Sequence, residues 1–217
     1  LFGLTFGAGR AAGSLTMSAY LIATYGAFGV IGASLFGFGV GVAVERGQGW
    51  MTLKRATPMP PMAYFTAKLA MAMVFSAIIV LLLAVLGSGF GGVQFGASTW
   101  VRLFVTLVLG AIPFAAIGLS LGYLCGPNSA PAVVNVLYLP MAFASGLWIP
   151  IEVLPPFVRS IAPFLPPYHL GQLALGAIGA GAGAPAWTHA VVLAGFTAAG
   201  LGVAVWGYRR DEDKTWG

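Results

Sequence analysis

The chain has 217 residues, of which 59% are hydrophobic and only 7% are charged. Soluble domains carry about 25% charged residues, so this composition excludes an ordinary water-soluble fold. The net charge of +5 comes from basic residues that lie beside long apolar runs, where they indicate membrane topology rather than a nucleic-acid surface.

The apolar runs are long and continuous, which predicts an all-α, polytopic membrane protein. Five spans are predicted, at about residues 18–44, 62–86, 101–124, 131–150 and 187–208. A polar connection, 45–61, separates the first two spans, and a Pro-rich segment, 151–186, precedes the last. The whole of 1–217 is interpreted as one transmembrane domain, since a bilayer core needs about 20 residues per helix and little chain remains.

Glycine pairs spaced four residues apart occur within two of the spans. Gly37 and Gly41 lie in the first, and Gly118 and Gly122 lie in the third. Such pairs allow helix backbones to approach closely, so they predict packing within the chain or, alternatively, a subunit interface.

The side on which each loop lies follows from its basic residues, because short cytoplasmic loops carry the excess of Lys and Arg. Alternating the spans places Arg10, Arg102 and Arg159 on one side. The other side holds Arg46, Lys54, Arg55, Lys68, Arg209, Arg210 and Lys214. The more basic side is predicted to be cytoplasmic, and the C-terminus lies there.

The apolar cores of the spans, such as Tyr20 to Ala43, contain no Asp, Glu, Lys, Arg or His. Transporters that are coupled to ion gradients keep such residues near the midplane. Enzyme chemistry also lacks support, since His169 and His189 are placed outside and Glu45 and Glu152 on opposite faces. The chain contains no Gly-x-x-x-x-Gly-Lys-Ser/Thr loop, so any ATP that drives the protein must be bound by another polypeptide.

The polar connection carries a recognisable pair of motifs. Glu45-Arg46-Gly47-Gln48-Gly49 is followed by Leu53-Lys54-Arg55-Ala56-Thr57-Pro58. This arrangement resembles the cytoplasmic segment that joins the second and third of six helices in type-2 ABC exporter permeases, including drug- and antibiotic-export subunits. The resemblance implies an ATPase-coupling segment formed by Glu45, Arg46, Gly49, Trp50, Leu53, Lys54, Arg55 and Pro58. Its apolar and basic residues also permit an alternative, an interfacial helix resting on lipid.

A second motif, on the opposite side, is similar to the same family. Ser145-Gly146-Leu147-Trp148-Ile149-Pro150 resembles its Ser-Gly-x-x-x-Pro signature, and short external helices follow in the family before the last span. The resemblance implies an external gate segment that contains Ser145, Gly146, Pro150, Leu154, Pro155, Pro166 and Pro167. A plain surface loop is the alternative, although residues 151–158 are too apolar for a fully solvated one.

The resemblance covers essentially the whole chain, but the family's first helix is absent or reduced to Leu1-Phe2. A missing first span is therefore expected, five of six being visible. By resemblance, two such subunits, most simply a homodimer, pair with two cytoplasmic ATPase subunits that bind ATP and Mg, while this chain binds no cofactor. The expected setting is the inner membrane of a prokaryote.

An exporter of this kind would move an amphipathic or apolar substrate, because the spans offer only weak polar groups. Two other functions stay open at this point. One is an ATP-independent membrane scaffold or sensor component, and the other is an intramembrane enzyme.

Overall fold

The computed structural model describes residues 17–50, 61–90, 92–181 and 183–213, and all regular structure within these ranges is helical. The first stretch contains α1 (Met17–Ser34), a π-helical segment (Leu35–Val40) and α2 (Gly41–Gly47). It is followed by α3 (Pro61–Gly89), α4 (Ala97–Leu109), α5 (Ala111–Leu124) and α6 (Ala130–Ala144). A series of short helices comes next, and α9 (Ala186–Asp213) ends the described chain.

Four helical stretches of the described chain are long and apolar enough to cross a membrane: Met17–Gly47, Ala63–Gly89, Ala97–Leu124 and Ala186–Asp211. They coincide with the first, second, third and last predicted spans. The second stretch is α3, and its large apolar side chains are mostly exposed, as expected of a helix in contact with lipid. They include Met71, Val74, Phe75, Ile78, Leu81, Leu82, Val85 and Leu86. The chain is a polytopic helical membrane protein.

The fourth predicted span is shorter than the sequence suggests. Its helix, α6, ends at Ala144 rather than near Pro150 and has 15 residues, or about 22 Å at 1.5 Å per residue. The helix ends there because Ser145 leaves the helical conformation and Gly146 adopts a positive φ of 76°. That left-handed backbone strongly favours glycine.

The centre of the bundle is α5, whose side chains are largely buried. A Cβ atom built on Gly118 would lie 2.9 Å from the carbonyl oxygen of Ser34, and one on Gly122 would lie 2.8 Å from Cβ of Val42. These glycines therefore allow α5 to approach the first span closely. The matching positions Gly37 and Gly41 differ, since a Cβ there would meet no described atom within 4 Å.

Two exposed tryptophans, Trp187 and Trp206, flank the apolar part of α9. Trp187 and Trp206 are about 28 Å apart along the axis at the usual rise of a helix, close to the thickness of a bilayer core. Tryptophan is enriched at both membrane interfaces. The spacing therefore fits a helix that crosses the whole hydrocarbon layer.

Candidate functional site

One end of the bundle, where α2, α5 and α9 end and α3 begins, holds most of the charged side chains among the described residues. Here it is named the charged end, and it contains Glu45, Arg46, Lys68 and Asp211. The opposite end, named the histidine end, contains His169 and His189.

Arg46 connects three helices at the charged end. Its Nε atom donates to Oδ2 of Asp211 on α9 at 2.5 Å. Its Nη1 atom lies 2.7 Å from the carbonyl oxygen of Gly122, 3.0 Å from that of Tyr123 and 3.3 Å from that of Cys125. The last carbonyls of a helix have no partners within it, and a cation there also interacts favourably with the helix dipole. Arg46 thus caps the end of α5 while it pairs with α9.

Glu45, the preceding residue, holds α3 instead. Lys68 donates from Nζ to Oε1 of Glu45 at 2.6 Å, and the Tyr64 hydroxyl donates to Oε2 at 2.9 Å. The Lys68 ammonium also lies 5.4 Å from the centre of the Tyr64 ring. Adjacent residues at the end of the first span therefore fasten it to α3 on one side and to α5 and α9 on the other.

The coupling residues that follow are only partly visible. Gly49 has a positive φ of 76°, and Trp50 is 55% exposed. Leu53, Lys54, Arg55 and Pro58 lie outside the described residues. The sequence prediction treated Glu45 and Arg46 as part of a docking segment, whereas the structure places both in contacts within the bundle; their role in coupling stays a prediction.

Residues 145–177 form a series of short helices at the histidine end. After Gly146 come a 3₁₀ turn (Ile151–Val153), α7 (Pro156–Ile161), a second 3₁₀ turn (Ala162–Phe164) and α8 (Pro166–Ala177). Each of these elements has a proline at its first residue or directly beside it. The first backbone N–H groups of a helix have no partner within the helix, so the N–H that proline lacks is not needed there.

The predicted gate residues take different positions within this segment. The Tyr20 hydroxyl donates to the carbonyl oxygen of Gly146 at 2.6 Å, which ties the segment to the start of α1. Ser145, Leu154, Pro166 and Pro167 are buried, while Pro155 is exposed and Pro150 is intermediate. The segment is therefore packed onto the bundle, and its role as a gate stays a prediction.

The two histidines meet at this end. Their Nδ1 atoms are 2.9 Å apart, and Nε2 of His169 lies 2.8 Å from the carbonyl oxygen of Pro163. Both side chains are only 5% exposed. Burial and the charge of Glu152 raise the pKa of the neighbouring Tyr168, which packs edge-on against His169 and stays a neutral phenol. Among the described residues no group of three or more metal-ligating side chains occurs.

Comparison with known proteins identifies the family. The protein-family model described as "ABC-2 family transporter protein" matches residues 10–206. The chain belongs to the ABC-2 transporter family. A relative in Bacillus subtilis (strain 168), named "Putative transport permease YvfS", is 30% identical over 166 residues, which cover 76% of this chain and 67% of the relative.

Membership of the ABC-2 family agrees with the resemblance seen in the sequence. The chain is the membrane-spanning subunit of a transport system rather than an enzyme. The matched region includes the short helices of residues 145–177 and three residues of the charged end, Glu45, Arg46 and Lys68, whereas Asp211 lies beyond it.

Two features of this ABC-2 subunit could not be found by reading the sequence. The contact between His169 and His189 joins residues on different helices that are separated by a Gly-rich stretch, and no spacing rule predicts it. The partners of Arg46 are likewise distant in sequence. One weak indication of these partners was present in the sequence, namely the acidic Asp211 directly after two basic residues at the end of the last span.

Proposed function

We propose that this chain is the permease subunit of an ATP-driven exporter whose ATP and Mg are bound by a separate cytoplasmic cassette ATPase. The observation that carries the proposal is the charged end, where polar contacts join α2, α3, α5 and α9 and where Trp50 of the predicted coupling segment is exposed. A permease without its own nucleotide site needs such a rigid element at the surface that its ATPase partner contacts. ABC-2 family membership supports the same partner.

In this proposal the charged end faces the cytoplasm. Of the described basic residues, Arg46, Lys68, Arg209 and Arg210 lie at that end, and Arg102 and Arg159 lie towards the histidine end. An excess of Lys and Arg is typical of the cytoplasmic side. The C-terminus would then be cytoplasmic, and the short helices of residues 145–177 would lie outside, in the inner membrane of a prokaryote.

The contacts at the charged end suggest how a movement could be passed on. A displacement of Trp50 by the ATPase would move the end of α2, from which the Arg46 side chain reaches α5 and α9 and the Glu45 side chain reaches α3. Because these are charge-assisted contacts, they resist separation more than neutral hydrogen bonds do. The spans would therefore shift together rather than one at a time.

The cargo is proposed to be amphipathic or apolar, moved outward along an interface between two copies of the subunit. The buried polar side chains of the spans are weakly polar hydroxyl groups such as those of Thr24, Ser34, Ser76 and Ser120. Such groups suit a substrate with few charges, since a bound charge would need a paired or metal-held partner.

The test is reconstitution with a cassette ATPase encoded beside this chain in its genome. ATP hydrolysis that rises when the permease is added, with outward movement of an amphipathic dye that stops when the phosphate-loop lysine of the ATPase is replaced, would support the proposal. An ATPase that neither binds the permease nor changes its rate would overturn it, and would favour the ATP-independent scaffold or sensor.

A further inference from the structure

A cavity of about 590 Å³ opens at the histidine end between α4, α8 and the start of α9. Its wall combines apolar side chains, Val105 and Leu173 among them, with four polar ones: Arg102, Thr106, Gln172 and His189. The volume lies within the range of roughly 300–1,000 Å³ that is typical of small-molecule sites. A mostly apolar wall with a few converging polar groups is also typical of such sites.

Arg102 gives this cavity a positive charge. Its guanidinium makes a long hydrogen bond of 3.4 Å from Nη2 to the Thr99 hydroxyl, and it pairs with no carboxylate in the part of the chain that the structure describes. The cavity wall itself includes no described Asp or Glu. Glu152 lines a different, much smaller cavity on the other side of Gln172. The charge of Arg102 is therefore available to an anion.

The contact between His169 and His189 determines whether His189 can donate a hydrogen bond to a ligand in the cavity or accept one from it. The Pro163 carbonyl can only accept, so Nε2 of His169 carries the proton in that hydrogen bond. With both rings neutral, Nδ1 of His169 is then the acceptor and Nδ1 of His189 the donor. Nε2 of His189 is consequently left as an acceptor, and no described residue donates to it. A ligand in the cavity can satisfy it with a hydroxyl group.

The apolar side of the cavity lies along α4. Val101 and Val105 are 60% and 46% exposed, lie one turn apart on the same face of α4, and line the cavity together with Arg102. An acyl or alkyl chain can pack against these two exposed valines. Together with the polar groups, this arrangement matches a molecule with one charged end and one apolar end.

We propose that this cavity binds an anionic amphiphile whose headgroup also carries a hydroxyl, of the phosphoglycerol lipid class. Arg102 pairs with the phosphate, His189 accepts from a glycerol hydroxyl through Nε2, and Val101, Val105 and Leu173 cover the chain. The site lies within a single subunit and requires no ATPase, so it stands or falls independently of the proposed export function.

The experiment is native mass spectrometry of the purified full chain in a non-ionic detergent. Lysophosphatidylglycerol and lysophosphatidylcholine with the same acyl chain are added in turn, because they differ only in the headgroup, which is an anionic phosphoglycerol in the first and a zwitterionic phosphocholine in the second. The chain should bind the glycerol lipid in preference, and Arg102→Gln should weaken that binding about tenfold, as expected for loss of a charge-assisted contact. Arg159→Gln is the matched control, since Arg159 is an exposed basic residue on α7 and does not line the cavity.

Equal binding of the two lipids, or an equal loss in Arg102→Gln and Arg159→Gln, would overturn the proposal. His189→Leu provides a second measurement, and should reduce the preference for the glycerol headgroup. The same spectra distinguish two sources of the ligand. A phosphatidylglycerol adduct already present after purification, and lost in Arg102→Gln, indicates a lipid taken from the membrane, whereas binding only after addition indicates an amphiphile arriving from solution. Either result supports the site.

Discussion

Arg46 and Asp211 form an ion pair of 2.5 Å although 165 positions separate them in the sequence. The pair joins the end of the first described span to the end of the last. Because the same guanidinium also bonds the final carbonyls of α5, three spans depend on one side chain for their alignment at the charged end.

Arg46→Met should lower the free energy of unfolding by about 2–3 kcal/mol, since it removes several hydrogen bonds made by a charged group and leaves carbonyls without a donor. Arg46→Lys should restore part of this, because it keeps the charge and loses the fork geometry. The effect is measured by titrating the purified protein with a denaturing detergent and following its unfolding. The control is Arg210→Met, whose exposed guanidinium lies over Trp206 at 5.4 Å and should cost much less. Equal losses for the two methionine variants would contradict the prediction.

A second prediction concerns the glycines of the bundle centre. Gly118→Ala and Gly122→Ala should each destabilise the protein by about 1–3 kcal/mol, because the new methyl group would press on backbone or Cβ atoms that cannot move away cheaply. Gly37→Ala and Gly41→Ala form the matched control, since a Cβ at those positions meets no described atom within 4 Å. The same unfolding titration compares all four. If the control pair lost as much stability as Gly118→Ala, close packing within the chain would not be the reason.

The helical spans could be predicted because length and continuous apolar composition are sufficient to identify them. Residues 18–44, 62–86, 101–124 and 187–208 each correspond to one of the four long helical stretches. The end of the first span was harder to place. The predicted span ends at about residue 44, whereas the helix continues to Gly47, and Glu45 and Arg46 in its last turn contact other helices.

Contacts between distant segments could not be predicted. Hydrophobic pattern shows that α5 is apolar, but it does not show that its carbonyls face Arg46. Nor does it show that His169 and His189 are neighbours, since twenty positions and a change of helix separate them. Such contacts arise from the packing of whole helices, about which one sequence carries little information.

The orientation of the chain can be tested with single cysteines. In a background that lacks Cys125, Arg159→Cys should react with a membrane-impermeant maleimide added outside intact cells, whereas Arg55→Cys should react only after the membrane is opened. The physical reason is the excess of basic residues at the charged end, which favours the cytoplasm. Labelling of both sites after permeabilisation serves as the control for reactivity. Reaction of Arg55→Cys in intact cells would reverse the orientation.

The last prediction concerns the connection between the first two long helices. Trp50 is exposed directly after the charged end, and Leu53, Lys54 and Arg55 follow it in the sequence. An aromatic and a leucine beside basic residues are typical of a short helix that docks in a groove of a partner, where a single anchor residue commonly contributes about 2 kcal/mol or more. Trp50→Ala combined with Leu53→Ala should therefore weaken assembly with the ATPase about 30-fold or more. Export should fall accordingly.

The double variant should still insert and fold, because the contacts of Glu45 and Arg46 within the bundle remain intact. Trp206→Ala is the matched control, since Trp206 lies towards the same end of the bundle and is 53% exposed, against 55% for Trp50. Co-purification with the ATPase and dye export in vesicles measure the two effects separately. If the segment instead rests on lipid, the double variant would bind the ATPase as tightly as the native chain and would export at the same rate, and the coupling role of residues 45–61 would have to be abandoned.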